Sequence, residues 1–126
     1  MIREFLAVGS GGALGCMVRY ALSGLLLAGY APAGFPLGTF AVNAAGSLLI
    51  GFLLATLRDG GLPLLLVTGF CGGFTTFSTF SADAVRLLRD GAWGTAGLYV
   101  ALSVAICIAG AALGLWIGTT VTKLNA

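Results

Sequence analysis

The sequence contains no histidine and no glutamine, a single lysine and a single glutamate, and only ten charged side chains among its 126 residues. Its four acids, Glu4, Asp59, Asp83 and Asp90, all fall near the ends of apolar stretches. General acid–base catalysis therefore has almost nothing to work with, and an enzyme is not expected. Charge is scarce as well: a soluble domain carries about a quarter of its residues charged, whereas here the fraction is 8% against 59% hydrophobic, with a mean hydropathy of +1.07. Lipid is the natural solvent for such a chain. Six Lys/Arg against four Asp/Glu give a net charge of +2. No basic run exists that could follow a phosphate backbone, which excludes nucleic acid as a partner. Cys16, Cys71 and Cys107 form no CxxC, have no histidine beside them and are odd in number. Buried, inert thiols are expected instead of a disulfide framework or a metal cluster.

What is abundant is long apolar sequence. A membrane-spanning helix needs about 20 mostly apolar residues, and four stretches qualify: residues 5–27, 37–57, 62–81 and 93–121. They predict an all-α integral membrane protein, a single transmembrane domain over residues 1–126. The stretches 29–36, 58–61 and 83–91 read as turns or short surface connections. Arg3 ahead of an apolar stretch imitates a secretory signal, but no small-x-small cleavage site follows, so a retained first helix is expected. Trp93 and Trp116 are 23 positions apart, about 35 Å along a helix, as suits aromatic anchors at opposite interfaces. The 21 glycines include the small-xxx-small sets Gly11/Gly15 and Gly110/Gly114/Gly118, which allow a second backbone to approach closely. The run from Gly9 to Gly15 does not fit G-x-G-x-x-G and follows no strand, so no nucleotide is expected.

Polar residues within spans are expensive unless partnered or placed on a wet path. Thr39, Asn43 and Ser47 recur every four residues in the second span, and Tyr99, Ser103 and Cys107 do the same in the fourth. The second half of the third span reads Cys71-Gly72-Gly73-Phe74-Thr75-Thr76-Phe77-Ser78-Thr79-Phe80-Ser81. Adjacent glycines at mid-membrane invite a break, and the groups freed there must be buried or line a cavity. After it, Phe74, Phe77 and Phe80 are expected on one face, with Thr75, Ser78 and Ser81 beside them. Hydroxyls and ring edges could meet an anion; freed carbonyls would suit a hard cation.

The run from Gly69 to Ser81 resembles the Gly-Phe-x-Gly-Gly-x-Thr-Thr-Phe-Ser-Thr-Phe-Ser signature of the Fluc/CrcB fluoride channels. The remaining spans agree in order: Gly-Gly-x-x-Gly followed by Arg19-Tyr20, then Gly38-Thr39 leading to Asn43 and Gly46-Ser47, then Tyr99 and Ser103. The resemblance implies four helices with the third broken mid-membrane, an antiparallel dual-topology homodimer, two fluoride pores and a structural Na⁺ on the two-fold axis. It implies that Phe77 and Phe80 face fluoride, that Asn43 orients them, and that Ser78 and Thr79 donate along the pore. Tyr99 and Ser103 would form a polar track on the fourth helix, Arg19 would be the vestibule cation, and the main-chain carbonyls of Gly72 and Thr75 would hold the sodium. Cys107, one turn further on, receives no role. Passive export of cytoplasmic fluoride from a bacterial inner membrane, relieving fluoride toxicity, is the implied activity. A four-helix multidrug exporter would need a mid-membrane acid, and Glu4 lies at an interface. A packing subunit would leave the Thr/Ser/Phe pattern without a purpose.

Lys and Arg counts bear on orientation, because cytoplasmic loops normally carry the excess. One face receives Arg3, Arg58 and Lys123, and the other receives Arg86 and Arg89, with Arg19 two turns inward from that end. The near balance predicts insertion in both orientations.

Overall fold

The computed structural model describes residues 1–126, which form helices joined by short turns, with no strand. Helix α1 spans Ile2–Leu26, regular to Arg19 and widened into π-type turns over Tyr20–Leu26. A short turn follows at Pro32–Gly34, in which Ala33 (φ 53°) and Gly34 (φ 77°) are left-handed. Helix α2 is Leu37–Thr56. The third span, Gly61–Arg89, comprises α3 over residues 61–74 and α4, Phe77–Arg89. Helix α5, Trp93–Leu124, has 32 residues and is therefore about 48 Å long, well beyond the ~30 Å hydrocarbon core of a bilayer. All four spans are long and apolar enough to cross a membrane. The chain is a multi-pass integral membrane protein.

Two close helix pairs organise the packing. Along α1 and α3, a Cβ on Gly11 or Gly15 would strike the carbonyl of Leu65 or Phe70, and one on Gly73 would strike that of Gly12. Along α2 and α5, a Cβ on Gly114 would strike the Leu48 carbonyl, and one on Gly51 that of Ala111. Both glycine sets thus work inside one chain, bringing backbones near enough for Cα–H···O contacts and dense dispersion. Only 18 of 126 residues are buried, so the remaining apolar surface must face lipid or another protein. The largest local core is Phe80, Leu87, Ala96 and Tyr99, with Phe35 and Phe40 packed against it. The indoles of Trp93 and Trp116 point outward.

Three expectations need correction. First, Gly72 is helical (φ −62°, ψ −38°); the non-helical residues are Thr75 (φ −88°, ψ 157°) and Thr76 (φ −150°, ψ 111°). Glycine permits a break but does not cause one; here Gly73 serves close packing against α1 while Gly72 faces outward, and the partners of the threonines pull the chain straight. Phe74 consequently lies ahead of the extended step, stacked on Phe70 at 5.7 Å, and does not share a face with Phe77 and Phe80. Second, residues 83–91 are not a surface connection, because α4 continues to Arg89. Hydropathy hides this segment: Phe80, Asp83 and Leu87 make its buried side, while Val85, Arg86 and Leu88 face out. Third, Cys16 is exposed on α1, whereas Cys71 is buried and Cys107 is intermediate. An outward thiol is acceptable when the medium is lipid.

The backbone contact at Gly114 can be tested against an open glycine. Gly114→Val should push α5 off α2 and destabilise by about 1–3 kcal/mol, read as a lower melting midpoint and a broadened elution profile in detergent. Gly94→Ala, where nothing lies within 4 Å of the added carbon, should leave both measurements unchanged.

Candidate functional site

Everything at the site starts from the two extended threonines. In a membrane an extended step strands backbone donors and acceptors that water cannot satisfy. Asn43, on α2, meets both groups of one residue: the Thr76 N–H donates to Asn43 Oδ1 at 2.7 Å, and Asn43 Nδ2 donates to the Thr76 carbonyl at 3.1 Å. A side-chain amide thus plays the part of a neighbouring strand. Gly46, one turn on, lets α2 reach this point, since a Cβ there would collide with the Thr75 methyl.

The restart of the helix is capped by the same residue. Thr76 Oγ1 accepts from the Thr79 N–H at 3.2 Å and donates to Thr79 Oγ1 at 3.1 Å, with Ser78 Oγ 3.2 Å away. This is an N-cap, the usual way to satisfy a first-turn amide. Thr75 Oγ1 donates back to the Cys71 carbonyl at 2.8 Å. Arg19, on α1, donates from Nε to the Gly73 carbonyl at 3.0 Å, placing a cation at the C-terminal, negative end of the α3 dipole. The guanidinium that the sequence suggests as a vestibule charge is thereby attached to the last turn before the extended step.

These bonds redirect amides that a continuous helix would use elsewhere. The N–H of Thr76 is the ordinary i+4 donor to the Gly72 carbonyl, and that of Thr79 the ordinary donor to the Thr75 carbonyl. The first goes to Asn43 and the second to the Thr76 hydroxyl. The carbonyls of Gly72, Gly73, Phe74 and Thr75 all lose their regular helical donors; that of Gly73 takes Arg19, and main-chain oxygens of this kind are what a hard cation requires.

Beside the step lies a cleft of about 630 Å³, lined by Asn43, Thr76, Phe77, Phe80, Ser103 and Cys107 among others. Phe77 is 78% exposed and Phe80 is buried. Their ring centres are 5.4 Å apart, and Phe80 lies 5.2 Å from Tyr99, which Phe35 meets edge-on at 5.3 Å. Ser103, one helical turn from Tyr99, has a buried hydroxyl with no hydrogen-bond partner, and it lines the same cleft. An unpaired buried hydroxyl is uncommon, and on a residue that lines a cavity it is a donor without a committed partner. Of the residues suggested by sequence, Asn43, Gly72, Thr75, Phe77, Phe80 and Ser103 line this cleft; Tyr99 is wholly buried against Phe80; Ser78 and Thr79 are engaged with the cap; Arg19 holds the turn before it.

Sequence reasoning missed Asp83. It is 6% exposed; its Oδ2 accepts from Thr39 Oγ1 at 2.8 Å and from the Tyr99 hydroxyl at 3.4 Å, and its Oδ1 from Arg86 at 3.2 Å. The ring series thus ends on a buried carboxylate that ties α2, α4 and α5 together. A signal was available: Phe80, Asp83 and Leu87 follow the 3–4 spacing of a single helical face. Thr76 carries a signal of its own, since a threonine opening a helical stretch is a recognised start signal.

Removing the amide should expose the dependence of this region on Asn43. Asn43→Ala should destabilise the protein by about 1–3 kcal/mol, because both backbone groups of Thr76 lose their partner, measured as a fall in melting midpoint. Ser47→Ala, on the same face one turn on, should stay within about 0.5 kcal/mol of the parent.

Residues 6–115 match the family described as "CrcB-like protein, Camphor Resistance (CrcB)". The fluoride-specific ion channel FluC of Geobacter sulfurreducens is 47% identical over 120 residues, covering 90% of this chain and 91% of the relative. That of Chlorobaculum tepidum is 44% identical over 129 residues, covering 98% of both, and that of Aromatoleum aromaticum is 48% identical over 119 residues. With the match running from the first span into the last, the chain belongs to the CrcB family of fluoride channels.

Proposed function

We propose that this protein is a passive, fluoride-selective channel that lets cytoplasmic fluoride leave a bacterial cell across its inner membrane. The observation that carries the reading is the cleft lined by Phe77, Phe80 and Ser103, whose hydroxyl has no partner, with Tyr99 packed against Phe80 and wholly buried. Hydrogen fluoride crosses lipid uncharged, ionises in a near-neutral interior and is trapped as the anion. A pore that passes only the anion lets it leave down its electrochemical gradient. Fluoride holds its water tightly, so the path must offer substitute contacts without retaining the ion. Ring edges carry the positive end of the aromatic quadrupole, and the second Nδ2 hydrogen of Asn43 and the Ser103 hydroxyl are donors at the same cleft. Asn43 also fixes where Phe77 starts, because Phe77 directly follows the residue it clamps.

The same reading includes an antiparallel homodimer with two pores and a sodium ion between the two third spans, which break at the bilayer centre. Three features support it. Phe77 lies open on the outside of one chain, Gly72 faces out with nothing within 4 Å of a built Cβ, and the Lys/Arg tally is balanced between the ends of the helices. Opposed copies meeting at Gly72 and Thr75 would each contribute main-chain carbonyls freed by the Asn43 and Thr76 bonds. The ion, when bound, supplies positive charge that neutralises those carbonyls and joins the subunits. The chain's own work is to hold its oxygens in place.

Two outcomes test this. Purified protein in liposomes should release fluoride, followed with a fluoride electrode, while chloride stays inside; Phe80→Ala and Phe77→Ala should slow release about a hundredfold or more, a loss comparable with that of an essential transition-state contact, with the dimer still eluting intact. No release above empty liposomes would end the channel reading, and loss of the dimer along with flux would make the rings packing residues.

Sodium dependence is the second. Thr75→Ala keeps the main-chain oxygen and should retain flux within about threefold, whereas prolonged exchange into a sodium-free medium with a large organic cation should reduce it. Undiminished flux after exchange would remove the sodium from the reading.

A further inference from the structure

The ring series terminates on an anion, an awkward end for an anion path. Asp83 is buried, and its Oδ2 already receives Thr39 and Tyr99. An uncompensated carboxylate there would repel fluoride at the Tyr99 end. Its ion-pair partner is Arg86, one turn along α4, whose Nη1 lies 3.2 Å from Oδ1. The two differ sharply in environment: the Arg86 side chain is 70% exposed and that of Asp83 is 8%. Arg86 therefore reaches inward from outside to a charge that the rest of the protein covers. It does so from a second cleft, of about 580 Å³, lined by Ser81, Arg86, Arg89 and Asp90 among others. With Asp83 counted, two guanidinium groups meet two carboxylates there, so the mouth is balanced only while Arg86 is present. The charged or titratable groups around Asp83 are Tyr99 from α5 and Arg86, Arg89 and Asp90 from α4 and its end, while α2 presents the neutral Thr39.

We propose that Arg86 is the positioning residue of this mouth: it holds Oδ1 of Asp83, leaves Oδ2 to Thr39 and Tyr99, and cancels the carboxylate's charge, so that fluoride passing Tyr99 meets a neutral pair. The inference rests on the channel reading. Arg86 touches no ring of the series and acts through Asp83. An exposed ion pair with no such duty would contribute little, since surface pairs are weak. Here one partner is buried, and removing the other leaves a charge without compensation.

The test uses the full chain in liposomes with a fluoride electrode. Arg86→Gln should lower the initial release rate by about tenfold or more, Arg86→Lys should recover most of it by restoring the charge, and Lys123→Gln, at the far end of α5 and outside both clefts, should stay within about twofold. Arg86→Cys should regain flux when treated with a cationic methanethiosulfonate and not with an anionic one, with the parent protein carrying its own cysteines as the control. If Arg86→Gln does not elute as the parent does, the pair Asp83→Asn and Asp83→Asn/Arg86→Gln decides. Once the carboxylate is gone, losing Arg86 should matter less than about twofold, and a larger loss overturns the proposal. Parent flux with Arg86→Gln unimpaired, or equal responses to both reagents, overturns it as well and leaves the channel reading standing. A parent that releases no fluoride fails at the earlier step and takes both down.

Discussion

One side-chain amide holds the functional half of the molecule together. Lipid forbids an unsatisfied peptide group, yet Thr75 and Thr76 are extended inside a span. Asn43 makes that tolerable by taking the Thr76 N–H and giving one of its own hydrogens to the Thr76 carbonyl. The consequences spread in both directions along the chain. Downstream, Thr76 caps α4 and so sets the rotation at which Phe77 and Phe80 leave the helix. Upstream, the carbonyls of residues 72–75 lose their helical donors. A single constraint therefore sets both the aromatic series and the run of carbonyls left without helical donors.

Close backbone packing makes the amide effective. Gly46 is a glycine because the Thr75 methyl occupies the space a side chain would need, and Gly114 and Gly51 hold α2 against α5. Without these approaches Asn43 would lie too far from Thr76 for a 2.7 Å bond. In water such pairing would be driven by burying apolar faces. In lipid the outward Leu, Ile and Val are already solvated, so small residues and main-chain contacts carry the association. Few side chains need to be buried for that to work.

Charge is used as sparingly as the composition suggests, and each cation that reaches inward has a task. Arg19 stabilises the last turn before the extended step through the Gly73 carbonyl. Arg86 meets the buried Asp83. The remaining basic residues, Arg3, Arg58, Arg89 and Lys123, lie near the ends of helices, where water and headgroups can solvate them.

Much of this was legible in the sequence. The four spans followed from apolar length, the glycine sets from their spacing of four, and the polar stripes of α2 and α5 from helical periodicity, because in lipid every polar side chain stands out against a uniform background. The third span was harder. Its glycines suggested a break at residues 72–73, but glycine only widens what the backbone can do, and the extended residues follow three positions later, where Asn43 supplies partners. By hydropathy the third span ends at Ser81, because Asp83, Arg86 and Arg89 lower the average beyond it. Whether those charges face water or a buried pair depends on where α2 and α5 pass, and no local pattern contains that. Sequence alone determined the solvent of this protein, its span count and the residue types available for chemistry, since these depend on composition and period. Which carbonyls are freed, which hydroxyl stays unpaired and which acid is buried were decided by tertiary structure, because a hydrogen bond is settled by distances between residues far apart in the chain.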